Sequence, residues 1–226
     1  VGTQSAGIEQ KSGKIVISGV ANNVNNKIVV EPVSFLNEGF QKLKANNSDI
    51  IFAGRKIMPH EKKSLSNLGN MTSDDTENVI ANDGISIIVN KENTVSEITI
   101  SELADVFSKR INNWSQLGGS DKPITIYSKP LKEKHIDKNV GEDPSGIGFV
   151  SLPNVNEGKK LKVKSNNSVL LEPTLTNIKT EDYILSRRLY CYIPENPSGE
   201  KTYDFRNFTL SEAGQALIEN KGYGSM

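Results

Sequence analysis

SEITISELADVFSKRINNWSQLGGSDKPITIYSKP, residues 96–130, is the stretch of the chain with the clearest signals of local structure. Thr99 and Glu102 have the spacing of a capping box, in which the two side chains satisfy the first donors of a helix. The apolar residues that follow recur at helical intervals and form one stripe, made of Leu103, Val106, Phe107 and Ile111. These signals predict a capped helix over 101–111.

A tight connection follows this predicted helix. The two asparagines at 112–113 tolerate the left-handed backbone conformation, and we expect them to end the helix. Trp114 is the only tryptophan of the chain, and we expect its large ring to be buried where it closes the turn. The two glycines at 118–119 then let the chain reverse into a predicted strand, PITIYS at 123–128.

Strand-like and helix-like patterns alternate along the rest of the chain. Runs rich in Ile and Val lie at 14–20, 27–33, 49–54, 84–90 and 123–128, and helical patterns lie at 35–47, 101–111 and 210–222. Because the apolar runs are nearly continuous, we expect strands that are covered on both faces. In the last helix, Ser211 is a candidate N-cap and Gly222 a candidate terminator. The alternation predicts an α/β fold with mixed or parallel sheets.

The length and charge of the chain limit the number of domains and the kinds of partner that we expect. Its 226 residues, 24.8 kDa, are enough for one large domain or two lobes. The 27 basic and 27 acidic residues cancel, which argues against a general attraction to nucleic acid or to an anionic membrane surface. The first residues, VGTQSAGIEQKSGK, lack the apolar core of a signal peptide, and we expect a mature or trimmed chain.

The sequence offers little for catalysis or metal binding. It contains no Gly-x-Ser-x-Gly, no Walker loop and no histidine pair at metal-ligand spacing. His60 and His135 stand alone in lysine-rich stretches. The single cysteine, Cys191, excludes an internal disulfide and is expected to be a small buried residue, since apolar side chains surround it. We therefore predict no enzyme, no catalytic residue, no metal and no cofactor.

The order of these signals is similar to that in one known family, the PstS-like substrate-binding proteins of ABC phosphate transporters. In that family a strand with Asp-Gly leads to a Leu-x-x-x-Phe helix, then to Asn-Trp, Gly-Gly-x-Asp and another strand. The matching residues here are Asp83, Gly84, Leu103, Phe107, Asn113, Trp114, Gly118, Gly119 and Asp121. Further stretches agree in the same order at 49–55, 146–152, 181–192 and 207–224. The resemblance therefore covers most of the chain.

The resemblance implies a type II periplasmic-binding-protein fold, also called a Venus flytrap fold. Two α/β lobes, with mixed sheets flanked by helices, would be joined by two crossing strands. Lobe one would combine 1–82 with 186–226, and lobe two would be 83–185. The crossings between the lobes are expected near 82–85 and 184–187. An anion would be held between the lobes.

The resemblance also implies which residues hold inorganic phosphate. Bound phosphate is dehydrated and needs many aimed donors, which hydroxyls, helix N-termini and arginine can supply. Ser34 and Asn37 correspond to the second binding loop, Arg55 to the end of a strand, and Ser128 and Lys129 to the fourth loop. Two alternatives stay open, since Ser34 can also be a plain helix cap and Arg55 can also belong to a surface ion pair.

The sequence departs from the family at its binding loops. The Gly-Ser-x-Thr of the first loop and the Ser-Gly-Thr of the fourth are absent, and Gly54 stands where family members carry serine. These residues were either deleted in evolution or lie outside the given sequence, and the second explanation accounts better for both gaps. The Arg187-Arg188 pair could face an anion, but we expect it to pair between the lobes or at the surface.

The function that the resemblance implies is capture of inorganic phosphate and its delivery to the membrane permease of an ABC transporter. The protein would be monomeric and extracytoplasmic, in the periplasm or the cell envelope, without nucleic acid as a partner. The alternative is a sensor or an envelope scaffold of the same fold that has lost or altered anion recognition. The stretch LTNIKTEDYILSRRLY at 175–190 resembles a branch fused to an OmpA-like domain, which would make this chain an excised fragment.

Overall fold

The computed structural model of the protein describes residues 7–21, 24–128, 132–165 and 169–226. The chain divides into two compact units, Val1–Ser48 and Asp49–Met226. Within the described ranges, every helix is too short or too polar to cross a membrane.

The first unit is built on a small antiparallel sheet. Its strands are β1 (Gly7–Lys11), β2 (Lys14–Ala21) and β3 (Val24–Val30), paired in that order. A tight turn at Ser12 and Gly13, both with positive φ, connects β1 to β2. The helix α1 (Leu36–Lys44) follows, and its apolar residues Phe40 and Leu43 are buried.

The strands of the first unit are less covered than their sequence indicates. Ile15 in β2 and Ile28, Val29 and Val30 in β3 are exposed, so the prediction of strands covered on both faces is wrong here. A run of β-branched residues favours extended backbone in exposed as well as buried strands. Antiparallel pairing between hairpin neighbours then satisfies the backbone locally. The apolar run alone therefore does not decide which faces are buried.

The second unit contains eight strands and six α-helices within the described residues. The strands are β4 (Ile51–Ala53), β5 (Glu77–Val89), β6 (Glu97–Thr99), β7 (Thr125–Tyr127), β8 (Gly146–Ser151), β9 (Lys159–Lys160), β10 (Lys162–Lys164) and β11 (Ser186–Tyr192). The helices are α2 (Pro59–Ser64), α3 (Ile100–Phe107), α4 (Glu133–Glu142), α5 (Leu175–Lys179), α6 (Glu200–Leu210) and α7 (Glu212–Asn220).

Six of these strands form one mixed sheet in the order β4-β11-β5-β8-β7, with β9 paired to β5. The β7–β8 pairing is parallel, whereas β5 pairs antiparallel with β11, β8 and β9. Strands β6 and β10 form a separate parallel pair. The prediction of an α/β fold with mixed sheets is confirmed.

Strand β5 changes its partner in the middle of its length. Up to Gly84 it pairs with β11, and from Ile85 onward it pairs with β8. This change lies inside the predicted crossing at 82–85, and β11 begins at Ser186, inside the predicted crossing at 184–187. The division of the chain into two lobes at these crossings stays a prediction.

The helix predicted over 101–111 is α3, which is shorter. Its capping box is confirmed, since Glu102 N donates to Thr99 Oγ1 at 3.1 Å and Thr99 N donates to Glu102 Oε2 at 2.8 Å. The predicted stop at the two asparagines is wrong, because the helix ends at Phe107 and Lys109 takes the positive φ. This left-handed residue lets the following amides reach carbonyls of the last turn, so the helix closes before the asparagines.

The connection after α3 is compact and buries its tryptophan. Asn113 is extended, and its side chain caps the short 3₁₀ helix Trp114–Leu117. Trp114 is fully buried in the apolar core, and its Nε1 donates to Ser145 O at 3.0 Å. Gly118 ends the short helix in the left-handed conformation. The burial predicted for Trp114 and the reversal predicted at the glycines are confirmed.

The ends of α7 follow the sequence signals. Gly214 N donates to Ser211 Oγ at 3.2 Å, which confirms the predicted N-cap. Gly222 adopts a positive φ just beyond the helix, which confirms the predicted terminator. The chain then returns to β5, where Gly224 N donates to Asn82 O at 2.7 Å and Asn82 N donates to Gly224 O at 2.8 Å.

Cys191 lies in β11 and is fully buried, as predicted. Burial raises the pKa of its thiol to about 12. The reactive thiolate is therefore scarce at neutral pH, and Cys191 acts as a small apolar residue of the sheet.

Gly84 lies where β5 changes its partner, and a neighbouring side chain approaches its Cα closely. A Cβ at this position would lie 2.3 Å from Ile178 Cδ1 and 2.7 Å from Ile178 Cγ1. We expect Gly84→Ala to lower the free energy of unfolding by about 1–3 kcal/mol, the usual cost of overpacking a filled core. Chemical denaturation of the variant and of the wild-type protein measures this difference.

Two further variants test whether this contact is the cause. Gly199→Ala is a matched control, because a Cβ at Gly199 meets nothing within 4 Å. Combining Gly84→Ala with Ile178→Ala removes the conflicting atoms, so in that background the glycine replacement should cost much less. Equal losses for Gly84→Ala and Gly199→Ala would contradict the packing argument.

Candidate functional site

Arg55 stands at the end of a strand of the mixed sheet, as predicted. Strand β4 ends at Ala53, and Gly54 separates it from Arg55. Arg55 Nη2 donates to Glu61 Oε1 at 2.7 Å, and Nη1 donates to Glu61 Oε2 at 2.8 Å. Nη1 also donates to Lys56 O at 2.8 Å. The guanidinium therefore makes a bidentate contact with one carboxylate.

Glu61 is a buried carboxylate, with 1% of its side chain exposed against 38% for Arg55. It lies in the first turn of α2, where Met58 N donates to its Oε2 at 2.8 Å. The hydrogen bonds from Arg55, more than the one from Met58, hold the pKa of Glu61 below its usual value although burial opposes them. The same pair raises the pKa of Arg55. Both groups are therefore charged at neutral pH.

This ion pair bears on the two interpretations of Arg55. Arg55 does form an ion pair, as the interpretation of Arg55 as part of a surface ion pair predicts. However, the carboxylate of this pair, on Glu61, is buried. The exposed part of the guanidinium still leaves room for a ligand. Contact between Arg55 and phosphate therefore stays a prediction.

A tyrosine fixes the backbone just beyond Arg55. Ile57 N donates to Tyr192 Oη at 2.8 Å, and Tyr192 Oη donates to Glu77 Oε2 at 2.7 Å. Burial raises the pKa of Tyr192, so its hydroxyl keeps its proton at neutral pH. Strands β11 and β5, which carry Tyr192 and Glu77, thus anchor the loop that carries Arg55.

A second arginine lies beside Gly54. Arg187 Nε and Nη2 both donate to Asp83 Oδ2, at 2.9 and 2.7 Å, and Nη2 also donates to Ser151 Oγ at 3.2 Å. Arg187 Nη1 lies 3.3 Å from the place that a Cβ on Gly54 would occupy. Arg187 is paired as expected, but its partner carboxylate is buried rather than at the surface, and pairing between the lobes stays a prediction. Its position beside Gly54 was not predicted.

Asp83 belongs to a polar cluster that joins β5, β8, β11 and α4. Ser151 Oγ donates to Asp83 Oδ2 at 2.8 Å, and Ser151 N donates to Glu133 Oε2 at 3.0 Å. The Asp83 side chain is 1% exposed. Its other oxygen, Oδ1, has no partner in the part of the chain that the structure describes. The sequence signal for this cluster was an acidic residue, Asp83, directly before the apolar run at 84–90, since such a residue needs a partner when buried.

The other predicted phosphate-binding residues lie in several elements. Ser34 is exposed and precedes α1, but the N-cap of α1 is Phe35 without a side-chain cap bond. The interpretation of Ser34 as a plain cap is therefore wrong, because the chain enters the helix one residue later. Asn37 is exposed in the first turn of α1, and Ser128 is half-buried directly after β7. Lys129 lies outside the described residues, and ligand roles for all of these residues stay predictions.

Two surface depressions of the second unit are lined by residues other than Arg55. One is lined by the end of α3, the connection after it and β7. Another is lined by α4 together with residues 156–157. Among the residues that the structure describes, no group of three or more His, Cys, Asp or Glu side chains is arranged to hold a metal ion.

A family model and curated relatives match most of the chain. The model, described as the PBP superfamily domain, matches residues 37–217. The phosphate-binding protein PstS of Staphylococcus epidermidis is 32% identical over 218 residues, covering 82% of this chain and 66% of that protein. PstS of Staphylococcus aureus is 29% identical over 218 residues, covering 82% of this chain and 65% of that protein. The chain thus spans just under two thirds of the length of these relatives.

Solved structures show which fold the chain has. One is described as a phosphate ABC transporter substrate-binding protein with bound phosphate from Clostridium perfringens, with a TM-score of 0.70, 24% identity and 84% of each chain covered. An ABC-type phosphate transport receptor from Vibrio cholerae has a TM-score of 0.68, 23% identity and 84% of each chain covered. They confirm the type II periplasmic-binding-protein fold, while the relation to the OmpA-fused branch stays a prediction. The chain therefore belongs to the PBP superfamily, and it is similar to the PstS phosphate-binding proteins within it.

Proposed function

We propose that the protein captures inorganic phosphate between two lobes and delivers it to the membrane permease of an ABC transporter. The observation that carries this proposal is the match to PstS phosphate-binding proteins, which covers 82% of this chain. The neighbour from Clostridium perfringens, which has the same fold, holds phosphate. As a substrate-binding protein of this family, the chain acts without catalysis. We assign it to the extracytoplasmic side of the membrane as a monomer.

The physical basis of capture is a cleft that gains donors when it closes. Each oxygen of phosphate must exchange water for protein donors, and a closed cleft offers donors from both sides at once. A ligand that makes these contacts only in the closed state shifts the population toward closure. In this proposal lobe one is 1–82 with 186–226, and lobe two is 83–185.

The proposal assigns recognition in lobe one to Arg55, with Ser34 and Asn37 helping, and in lobe two to Ser128 and Lys129. The geometry that supports Arg55 is its place directly after β4 and its fixed orientation. A side chain that is already ordered loses less conformational entropy when a ligand binds. Because the net charge of the chain is zero, recognition depends on aimed donors more than on long-range attraction.

Isothermal titration of the complete protein with phosphate, sulfate and molybdate tests this function. We expect a saturable heat with phosphate and weaker binding of the other two oxyanions. Small-angle scattering with and without phosphate should show a more compact protein in the bound state. If millimolar phosphate produces neither heat nor closure, phosphate capture is wrong.

A sensor or an envelope scaffold of the same fold is the second candidate. The observation that favours it is that both arginines beside Gly54 already pair with buried carboxylates, Arg55 with Glu61 and Arg187 with Asp83. These carboxylates offset the charge that would attract an anion. The same titration separates the candidates, because a scaffold that has lost anion recognition binds none of the three oxyanions.

A further inference from the structure

Arg55 and Arg187 flank Gly54, and they differ in which of their nitrogen atoms are already used. Both terminal nitrogens of Arg55 donate to protein oxygens. Arg187 uses Nε and Nη2, whereas its Nη1 has no hydrogen-bond partner among the residues that the structure describes. Of the two guanidiniums, Arg187 therefore carries the terminal nitrogen with both N–H groups available to a ligand, whereas Arg55 Nη2 has one such group left.

The one-sided pairing of Arg187 explains why this nitrogen is free. Both of its hydrogen bonds to Asp83 end on the same oxygen, Oδ2, and Ser151 Oγ donates to that oxygen as well. In an end-on bidentate pair, both terminal nitrogens donate to the two carboxylate oxygens, as those of Arg55 do to Glu61. The guanidinium is instead turned so that Nη1 points away from Asp83. The side chain of Arg187 is 40% exposed, so a ligand in solvent can reach it.

Gly54 is the residue that makes this orientation possible. Nη1 and Cζ of Arg187 lie 3.3 and 3.6 Å from the place that a Cβ on Gly54 would occupy. The shorter distance is tighter than an ordinary carbon contact, so a side chain at position 54 would press on the guanidinium. The absence of a side chain at Gly54 therefore leaves room for Arg187 at the end of β4.

We propose that Arg187 Nη1 is a direct donor to the bound tetrahedral oxyanion, and that Gly54 is the residue that admits it to the site. This inference rests on the proposed function and adds a ligand-contacting residue to it. Asp83 and Ser151 act as positioning residues, because they hold Nε and Nη2 and so fix where Nη1 points. The guanidinium is ordered before the anion arrives, which lowers the entropy lost on binding.

Titration of the Arg187→Lys variant with inorganic phosphate tests this proposal. Lysine keeps the positive charge and can still reach Asp83, but it has one nitrogen and cannot also extend a donor over Gly54. We expect phosphate to bind about 10- to 100-fold more weakly, the loss of one hydrogen bond to a charged group. The matched control is Arg188→Lys, because Arg188 pairs with the exposed Glu181, and it should bind as the wild-type protein does.

A second variant keeps both arginines and changes only the space between them. Gly54→Ala should weaken phosphate binding in the same direction but less, because the new Cβ displaces Nη1. Thermal unfolding of both variants, without phosphate, shows whether they are folded. Wild-type affinity in both variants would overturn the role of Arg187 while leaving phosphate capture intact. If the wild-type protein binds neither phosphate nor sulfate, the proposed function is wrong and this inference falls with it.

Discussion

Replacing Trp114 with alanine is expected to lower the free energy of unfolding by about 3–5 kcal/mol, the usual cost of removing a large aromatic side chain from a core. Trp114 is fully buried and packs in a cluster with Val95, Val106 and Ile147. Its Nε1 also donates to Ser145 O. Alanine would leave a cavity and remove this hydrogen bond. Denaturant unfolding followed by circular dichroism measures the loss without using tryptophan fluorescence.

Two controls separate the contributions of volume and hydrogen bonding. Trp114→Phe keeps most of the apolar volume but removes the indole donor, so it should cost clearly less than alanine. Phe208→Ala removes an aromatic residue that is 45% exposed, and we expect it to cost about 1 kcal/mol or less. A loss below about 1 kcal/mol for Trp114→Ala would contradict the burial argument.

The local structure of residues 96–130 could be predicted because its determinants lie close together in the sequence. The capping box of Thr99 and Glu102 and the cap at Ser211 depend on residues three positions apart. The burial of Trp114 follows from its size within a short connection. The error at the end of α3 has the same local origin, since left-handed backbone is less costly for Asn but was adopted by Lys109.

The strand pairings could not be predicted in the same way. The first half of β5, residues 77–83, carries Glu, Asn and Asp, and its only apolar run is the three residues 79–81. Its polar residues are partnered from far away in sequence, Glu77 by Tyr192 and Asp83 by Arg187. Such partners become visible only once the register between β5 and β11 is known.

The candidate site was predictable in position but not in its internal contacts. The family resemblance placed Arg55 at a strand end, and β4 ends two residues before it. The partner Glu61 lies in the polar sequence PHEKKS, where nothing in the local pattern indicates a buried carboxylate. Likewise, the sequence shows Gly54 only as the loss of the serine that family members carry. The structure adds that Arg187 lies beside it. Substitutions at a binding loop therefore need the tertiary neighbours before they can be interpreted.

Arg55→Ala is expected to weaken phosphate binding by about 2–5 kcal/mol, the range for removing one partner of a buried charged contact. Two effects add in this variant. The anion loses a donor, and Glu61 is left as an unpaired buried carboxylate in the same part of the protein. Isothermal titration with phosphate measures the loss. The matched control is Arg110→Ala, because Arg110 forms an exposed ion pair with Asp105 and should bind phosphate as the wild-type protein does.

The pH dependence of stability tests the structural contribution of the Arg55–Glu61 ion pair. In the wild-type protein the pKa of Glu61 is lowered, so the pair stabilises the fold at neutral pH, and this contribution is lost as the pH falls through that lowered pKa. In Arg55→Ala, Glu61 must instead be buried without its cation, which favours the protonated form. The stability gap between the two proteins should therefore shrink in acid.

Phosphate affinity and stability together decide what Arg55 does. Glu61→Gln keeps the guanidinium but removes the charge that offsets it, so a ligand-contacting Arg55 should bind phosphate at least as tightly in this variant. If Arg55 only anchors α2, then Arg55→Ala and Glu61→Gln should both lose stability while phosphate affinity follows the Arg110→Ala control. If Arg55→Ala and Arg110→Ala bind phosphate with equal affinity, Arg55 has only a structural role, as the partner of Glu61. Anion recognition at the end of β4 would then depend on Arg187.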